Sequence, residues 1–132
     1  MKEQIIGEEF IQSSENVLDY LRHNLRDRGR EVFLVVLLNG RNQVLDIVEL
    51  FEGTLITSAV YPREVIKLIL ERDAAAVIFV HNHPSGNPNP SKDDQTLTRK
   101  LKAACSTIDV QLHDHLIIAG NDYTSMADKG MV

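Results

Sequence analysis

The chain has 132 residues, of which 43% are hydrophobic and 25% charged, and its formal net charge is −5 with a pI of about 5.5. This length and composition predict a single soluble domain over 1–132, with a core from about residue 10, and no apolar run reaches membrane-spanning length. The acidic balance argues against broad binding of a phosphate backbone, which needs a basic face. The first residues lack the apolar segment of a signal peptide, so we expect a cytoplasmic protein.

The first half of the chain predicts a helix followed by an antiparallel meander. Apolar residues spaced by one, three and four positions predict an amphipathic helix over about 14–27. The nearly continuous apolar run 31–38 predicts a central strand covered on both faces. An Asn-Gly pair directly after it predicts a tight turn into a returning strand over about 44–51. Alternation over 54–60 predicts a third strand.

The second half predicts helices that alternate with strands. A proline is a favourable first residue for a helix over about 62–72, and the apolar run 74–80 predicts a buried strand after it. A second long helix is predicted over about 91–107, followed by two closing strands over 110–118 and 123–126. A helix between two strands implies a crossover connection. The chain therefore predicts an α/β fold in which helices flank a mixed β-sheet.

Two imidazoles stand where the buried strand gives way to a turn. Side chains two positions apart in an extended segment point the same way, so His81 and His83 share a face. Ser91 is a natural N-cap for the next helix, and Asp94, three residues further on, faces back toward the turn. Two nitrogens and one oxygen leave a fourth position on zinc for water, which is the pattern of catalytic sites. We therefore expect His81, His83 and Asp94 to bind one Zn²⁺ per chain.

Each of these features also has a simpler interpretation. A single histidine at a strand end is usually a hydrogen-bonded surface residue, and a serine three residues before an aspartate is usually a helix cap. The conjunction favours a metal, because two buried imidazoles without partners would each cost about 1–3 kcal/mol. A bound metal removes that cost.

The spacing His-x-His, seven residues, then Ser-x-x-Asp resembles the JAMM signature of MPN-domain metalloproteases. The longer strings HNHPSGNPNPSKDD, YPREV and DHLIIAG resemble the RadC-like bacterial branch, and the resemblance runs from about residue 8 to the C-terminus. It implies a single MPN (JAMM, cytidine-deaminase-like) domain and zinc-dependent hydrolysis of peptide or isopeptide bonds by an activated water. The family's general base, a glutamate at the start of an early apolar strand, falls on Glu31. One departure from the family pattern concerns this glutamate, because Leu34 stands three residues after it where many members have glycine. The resemblance also implies that Ser91 steadies the oxyanion.

Glu49 and Glu52 lie at the end of the second strand and are the alternative candidates for the base. Charges at a strand end are usually solvated, whereas Glu31 opens the most apolar strand. We therefore expect Glu31 to be the general base.

Two other kinds of enzyme share parts of this motif but not its spacing. The tripeptide His-Asn-His does not indicate an HNH nuclease, whose residues are dispersed over a ββα unit, and zinc deaminases need a Pro-Cys-x-x-Cys motif that a chain with one cysteine lacks. Two alternatives stay open: a DNA-repair-associated accessory protein, which is the historical label of RadC-like proteins, and a metal-stabilised scaffold for partner proteins. We expect a peptide or protein substrate, and at best weak DNA binding by this domain.

A second His-x-His lies in the predicted strand near the C-terminus. No nearby helix start offers a third ligand to His113 and His115, so we expect this segment, with Asp114, to be structural or to brace the site. Cys105 lies within an apolar helical pattern and is expected in the core. The arginines near residues 22–30 are expected to form a solvated helix face and its exit.

Overall fold

The computed structural model describes residues 2–10, 14–53 and 60–132. After a short 3₁₀ helix, Lys2–Gln4, the elements are α1 Ser14–Leu25, β1 Glu31–Leu38, β2 Val44–Gly53, α2 Pro62–Arg72, β3 Ala76–Asn82, α3 Lys92–Thr107, β4 Gln111–Ala119 and β5 Asp122–Ser125. The predicted α/β class, with helices flanking a mixed sheet, is confirmed. Among the described residues, no helix is long and apolar enough to cross a membrane.

The five strands form one sheet in the order β2-β1-β3-β4-β5. β1 pairs antiparallel with both β2 and β3, whereas β3 and β4 are parallel and are connected by α3. Phe33 lies opposite His81 across the β1–β3 pair, so the beginning of β1 meets the end of β3. This edge of the sheet also receives the start of α3, which follows β3 after a turn.

The sheet is covered on both faces, as the apolar run of β1 predicted. Alternate residues of this strand divide between two cores, and every residue from Val32 to Leu38 is buried. Val32 and Leu34 pack on the face covered by α1, and Phe33 and Val35 pack on the face covered by α2 and α3. Cys105 is buried in the second core as expected, and burial raises the pKa of its thiol to about 11.

The predicted tight turn after β1 is confirmed, with its centre one residue later than the Asn-Gly pair. The backbone N–H of Asn42 donates to the carbonyl oxygen of Asn39 at 2.9 Å, so Gly40 and Arg41 form the centre of the turn, and Asn42 follows with left-handed backbone, φ of 60°. The side chain of Asn39 stabilises this arrangement, because its Oδ1 accepts hydrogen bonds from the backbone N–H groups of Arg41 (2.9 Å) and Gln43 (3.0 Å). A side chain that satisfies these amides favours this wider turn over a two-residue hairpin turn.

The other differences are small. α1 ends two residues before its predicted limit, and β3 continues through Asn82, so His81 lies inside the strand. The predicted third strand over 54–60 lies outside the described residues except for Val60, which is buried but not in a strand.

Asp46 connects the N-terminal segment and α2 to the sheet, and it gives a test of the fold. Its buried carboxylate contacts Lys2 Nζ (2.8 Å) and a guanidinium nitrogen of Arg72 (2.9 Å). Burial alone would raise the pKa of Asp46, but the hydrogen bond from Lys2 and the neighbouring positive charges lower it below its ordinary value. A carboxyl with a lowered folded pKa stabilises the fold above its unfolded pKa of about 3.9, and this contribution is lost as the pH falls through the folded value.

We expect Asp46→Asn to reduce the free energy of unfolding by about 1 kcal/mol at pH 7, a modest value because both cations are partly exposed. The difference between variant and parent should shrink below about pH 3. Urea unfolding at both pH values measures it, and an equal difference at both would contradict the role given to the charge.

Candidate metal centre

Three elements bring the predicted site residues together at one edge of the sheet. His81 lies near the end of β3 and is fully buried, and His83 follows in the turn. Glu31 is the first residue of β1, and Asp94 is in the first turn of α3. The antiparallel β1–β3 pairing delivers Glu31 to the histidines across 50 residues of sequence.

The ligand atoms of these side chains converge. Nε2 of His81 and Nε2 of His83 are 3.1 Å apart. Asp94 Oδ1 lies 3.1 Å from Nε2 of His81, and Asp94 Oδ2 lies 3.0 Å from Nε2 of His83. Glu31, His81 and His83 each place a ligand atom within 4.8 Å of the others, so this group could hold a metal ion. Asp94 of α3 contacts both imidazoles, and Glu31 approaches them from β1.

Ser91 caps α3 in the way the sequence predicted. Its Oγ accepts a hydrogen bond from the backbone N–H of Asp94 (3.0 Å), and its own backbone N–H donates to Asp94 Oδ2 (2.8 Å). This capping box fixes the carboxylate of Asp94 toward the histidines. Because a hydroxyl that accepts one hydrogen bond still has its proton to donate, the capping role leaves Ser91 able to bind an oxyanion.

The hydrogen bonds around His83 determine which of its nitrogens faces the site. Nδ1 lies 2.7 Å from the backbone carbonyl oxygen of Asn87, which can only accept. Nδ1 must therefore carry the proton, and Nε2 presents its lone pair toward Asp94 and His81. This is the arrangement that metal-binding histidines usually adopt.

A longer chain of hydrogen bonds gives His81 the same tautomer. Thr98 Oγ1 donates to the backbone carbonyl oxygen of Asp94 at 2.7 Å, since the sulfur of Met126 at 3.7 Å is the weaker acceptor. The Nδ1–H of His115 then donates to Thr98 Oγ1 at 2.6 Å, and Nε2 of His115 accepts from Nδ1–H of His81 at 2.7 Å. Burial lowers the pKa of His115 well below its ordinary value, which keeps this ring neutral as the chain requires.

The consequence is a site made of acceptors. Two nitrogen lone pairs and a carboxylate face one another at about hydrogen-bond distance, and a cation between them would satisfy all three. The pKa values show the same demand for positive charge. When His83 is protonated at Nε2 it donates to Asp94, which raises the pKa of His83. Burial would raise the pKa of Asp94, but hydrogen bonds from the protonated forms of His81 and His83 hold that pKa well below its ordinary range. Two imidazoles and a carboxylate suit Zn²⁺ but also other first-row metals.

The alternative base candidates lie elsewhere. Both Glu49 and Glu52 pair with the guanidinium of Arg28, Glu49 at 3.1 Å. Glu31, by contrast, lies in the metal-binding group and its charge contributes to the raised pKa of His83. Of the glutamates weighed, the structure brings Glu31 to the histidines.

The second His-x-His separates into two environments. His115 is buried against His81, as described above, whereas His113 lies away from the site, with Nε2 2.8 Å from Asn42 Oδ1. Asp114 accepts from the backbone N–H groups of His115 (2.7 Å) and Ala127 (2.9 Å), which fastens the C-terminal segment to β4.

Two polar residues near the site went unnoticed in the sequence. Thr98 follows Asp94 by one helical turn, so its place on the same helix face was open to prediction. Asn82 stands between the two histidines and carries no comparable signal, because its partners lie at the start of β1 and directly before it, about 50 residues earlier.

An open groove of about 440 Å³ passes the site. It is lined by Glu31, His83, Pro84, Ser85, Asn87, Asn89, Pro90 and Ser91. Most of these side chains can form hydrogen bonds, and the prolines keep the turn between β3 and α3 stiff.

The fold and this site agree with the relationship found by comparison. The family model of the RadC-like JAB domain matches residues 11–131, and the chain belongs to that family. The five-stranded mixed sheet and three α-helices of the described residues are consistent with the MPN/JAB fold.

Curated relatives are similar over most of this chain. A UPF0758 protein of Shewanella baltica (strain OS185) is 50% identical over 114 residues, which are 86% of this chain and 51% of the relative. A UPF0758 protein of Shewanella amazonensis (strain ATCC BAA-1098 / SB2B) is 47% identical over 122 residues, or 92% of this chain and 54% of the relative. The chain thus spans about half the length of these relatives, whose names state no activity.

Proposed function

We propose that this domain is a zinc-dependent hydrolase of peptide or isopeptide bonds, with one Zn²⁺ held by His81, His83 and Asp94. The observation that carries the proposal is the convergence of two fixed nitrogen lone pairs and a carboxylate. A zinc ion bound there would supply a Lewis acid that makes a water nucleophilic near neutral pH.

The side chains around these ligands suit the proton transfers that amide hydrolysis needs. Glu31 would accept the proton of the attacking water and return it to the leaving amine. A carboxylate oxygen of Glu31 lies within 4.8 Å of a ring nitrogen of each histidine, so it would be close to a water bound to an ion at these histidines. Ser91, fixed by the capping box, would donate its hydroxyl proton to the developing oxyanion.

The groove supports a peptide or protein as the substrate class. It is open rather than enclosed, and amides, hydroxyls and prolines line it more than large apolar side chains. Such a surface suits an extended chain whose backbone groups need hydrogen-bond partners.

A screen of peptides and isopeptide-linked peptides tests the proposal. Cleavage is expected from the zinc-loaded protein, to be lost after treatment with a chelator and restored by Zn²⁺. Cleavage that persists fully in the chelator-treated protein would contradict a metal-dependent hydrolase.

The arrangement of charged side chains on the surface gives little support to the alternative, an accessory role on DNA. Three of the four arginines in this region are paired with carboxylates: Arg22 with Asp19 at 3.5 Å, Arg26 with Asp27 at 3.6 Å, and Arg28 with Glu49 at 3.1 Å. Arg22 also lies over the ring of Tyr123, 5.1 Å from its centroid. The region does not present a continuous positive face.

We therefore expect the isolated domain to bind duplex DNA weakly, given the net charge of −5. A titration of labelled duplex at physiological salt measures it. Affinity in the sub-micromolar range with a steep salt dependence would instead favour the DNA-associated role.

A further inference from the structure

Asn82 lies between the two histidines, is only 2% exposed, and directs its carboxamide to the start of β1. The backbone ladder between β1 and β3 ends at the pair Phe33 and His81. Beyond this pair, Asn82 Oδ1 accepts from the backbone N–H of Val32 at 2.7 Å, and Asn82 Nδ2 donates to the carbonyl oxygen of Arg30 at 3.0 Å.

These two partners are the residues directly before and after Glu31. A carboxamide offers one acceptor and one donor side by side, as a peptide group does, so Asn82 continues the ladder after the backbone pairing has ended. Nδ2 also lies 3.4 Å from the carbonyl oxygen of Arg28, which extends the attachment toward α1. The backbone that carries Glu31 is thereby tied to the strand that carries His81.

We propose that Asn82 is a positioning residue for Glu31, whose side chain it holds beside the metal by bracketing the backbone on both sides of that glutamate. The inference rests on the proposed function, because it assigns to Asn82 the placement of the catalytic base. The ligands do not need this bracket, since His83 and Asp94 have their own hydrogen bonds to Asn87 and Ser91.

The chemistry of the bracket explains why an amide is suited to this position. An alanine would leave the buried N–H of Val32 without its acceptor. An aspartate would face the carbonyl oxygen of Arg30 with a second acceptor. Only a side chain with both a donor and an acceptor at this reach satisfies both neighbours of Glu31.

The test uses Co²⁺ in place of zinc, because the visible absorption of Co²⁺-loaded protein reports ionisation at the ion without any substrate. The pH midpoint of this absorption should fall in Glu31→Gln, since a carboxylate beside the ion disfavours loss of a proton there. A unit charge about 5 Å away at an effective dielectric constant near 20 predicts a shift of at least about one pH unit.

Asn82→Ala is expected to bind Co²⁺ within a few-fold of the parent and to lower the midpoint at least half as far as Glu31→Gln. The double variant Glu31→Gln, Asn82→Ala should shift it no further than Glu31→Gln alone. Should Asn82→Ala fail to fold, Asn82→Ser, which removes the same bracket but retains a small polar group, provides the same readout.

Asn39→Ala is the matched control, because Asn39 makes two comparable hydrogen bonds to backbone amides at the opposite end of β1. It should lower stability and leave the midpoint unchanged. An Asn82 variant with the parent's midpoint, or one that loses Co²⁺ affinity more than tenfold, would overturn the positioning role while Glu31→Gln still shifts. If Glu31→Gln leaves the pH midpoint unchanged, Glu31 has no part in the mechanism, and the role proposed for Asn82 is wrong as well.

Discussion

Glu31→Gln is expected to reduce hydrolysis at least about a hundredfold, the loss typical of a missing general base. Glutamine has nearly the same shape but cannot accept the proton of the attacking water. The variant should retain zinc and its melting temperature, because the proposed ligands are His81, His83 and Asp94. Initial rates on a substrate found by the peptide screen, measured with equal zinc content, determine the effect.

Glu49→Gln and Glu52→Gln are the matched controls for this experiment. Both carboxylates pair with Arg28 rather than with the histidines, so their variants should stay within a few-fold of the parent. Full activity of Glu31→Gln would remove Glu31 from the mechanism and leave the metal assignment standing.

Loss of the metal is expected to produce the largest change in stability. Zinc that binds only the folded state at about a thousand times its dissociation constant adds about 4 kcal/mol to the free energy of unfolding. His83→Ala should therefore melt at a lower temperature than the zinc-loaded parent and should no longer respond to a chelator. Thermal unfolding with and without the chelator measures both effects.

His113→Ala is the control for this measurement, since His113 bonds to Asn42 away from the site. It should respond to the chelator as the parent does. An equal chelator response in His83→Ala and in the parent would contradict the assignment of His83 as a ligand.

Much of the fold followed from local sequence patterns. The apolar run of β1 and the proline that begins α2 gave the bounds Glu31–Leu38 and Pro62–Arg72 as observed, because burial on both faces and helix initiation leave strong local signals. The Asn-Gly pair also predicted the tight turn after β1, but the centre of the turn lies one residue later, at Gly40 and Arg41, where the side chain of Asn39 bonds to the backbone amides that follow it. A side-chain hydrogen bond of this kind is not visible in the dipeptide itself.

The proposed site likewise combines features that local spacing predicts with features that depend on strand pairing. Ser91 and Asp94 form their capping box within four residues, so spacing alone predicted it. The contact between His115 and His81 depends instead on the register of β3 against β4, which a single sequence does not specify. The bracket made by Asn82 depends on where the β1–β3 ladder ends, and only the structure shows that its two partners flank Glu31.

Zinc analysis of the purified protein and its variants tests the central claim most directly. The account predicts about one zinc per chain in the parent and in His113→Ala, and little in His81→Ala, His83→Ala or Asp94→Ala, as expected for a site with three protein ligands. Zinc retained at the parent's level in these three variants, or lost in His113→Ala instead, would contradict it.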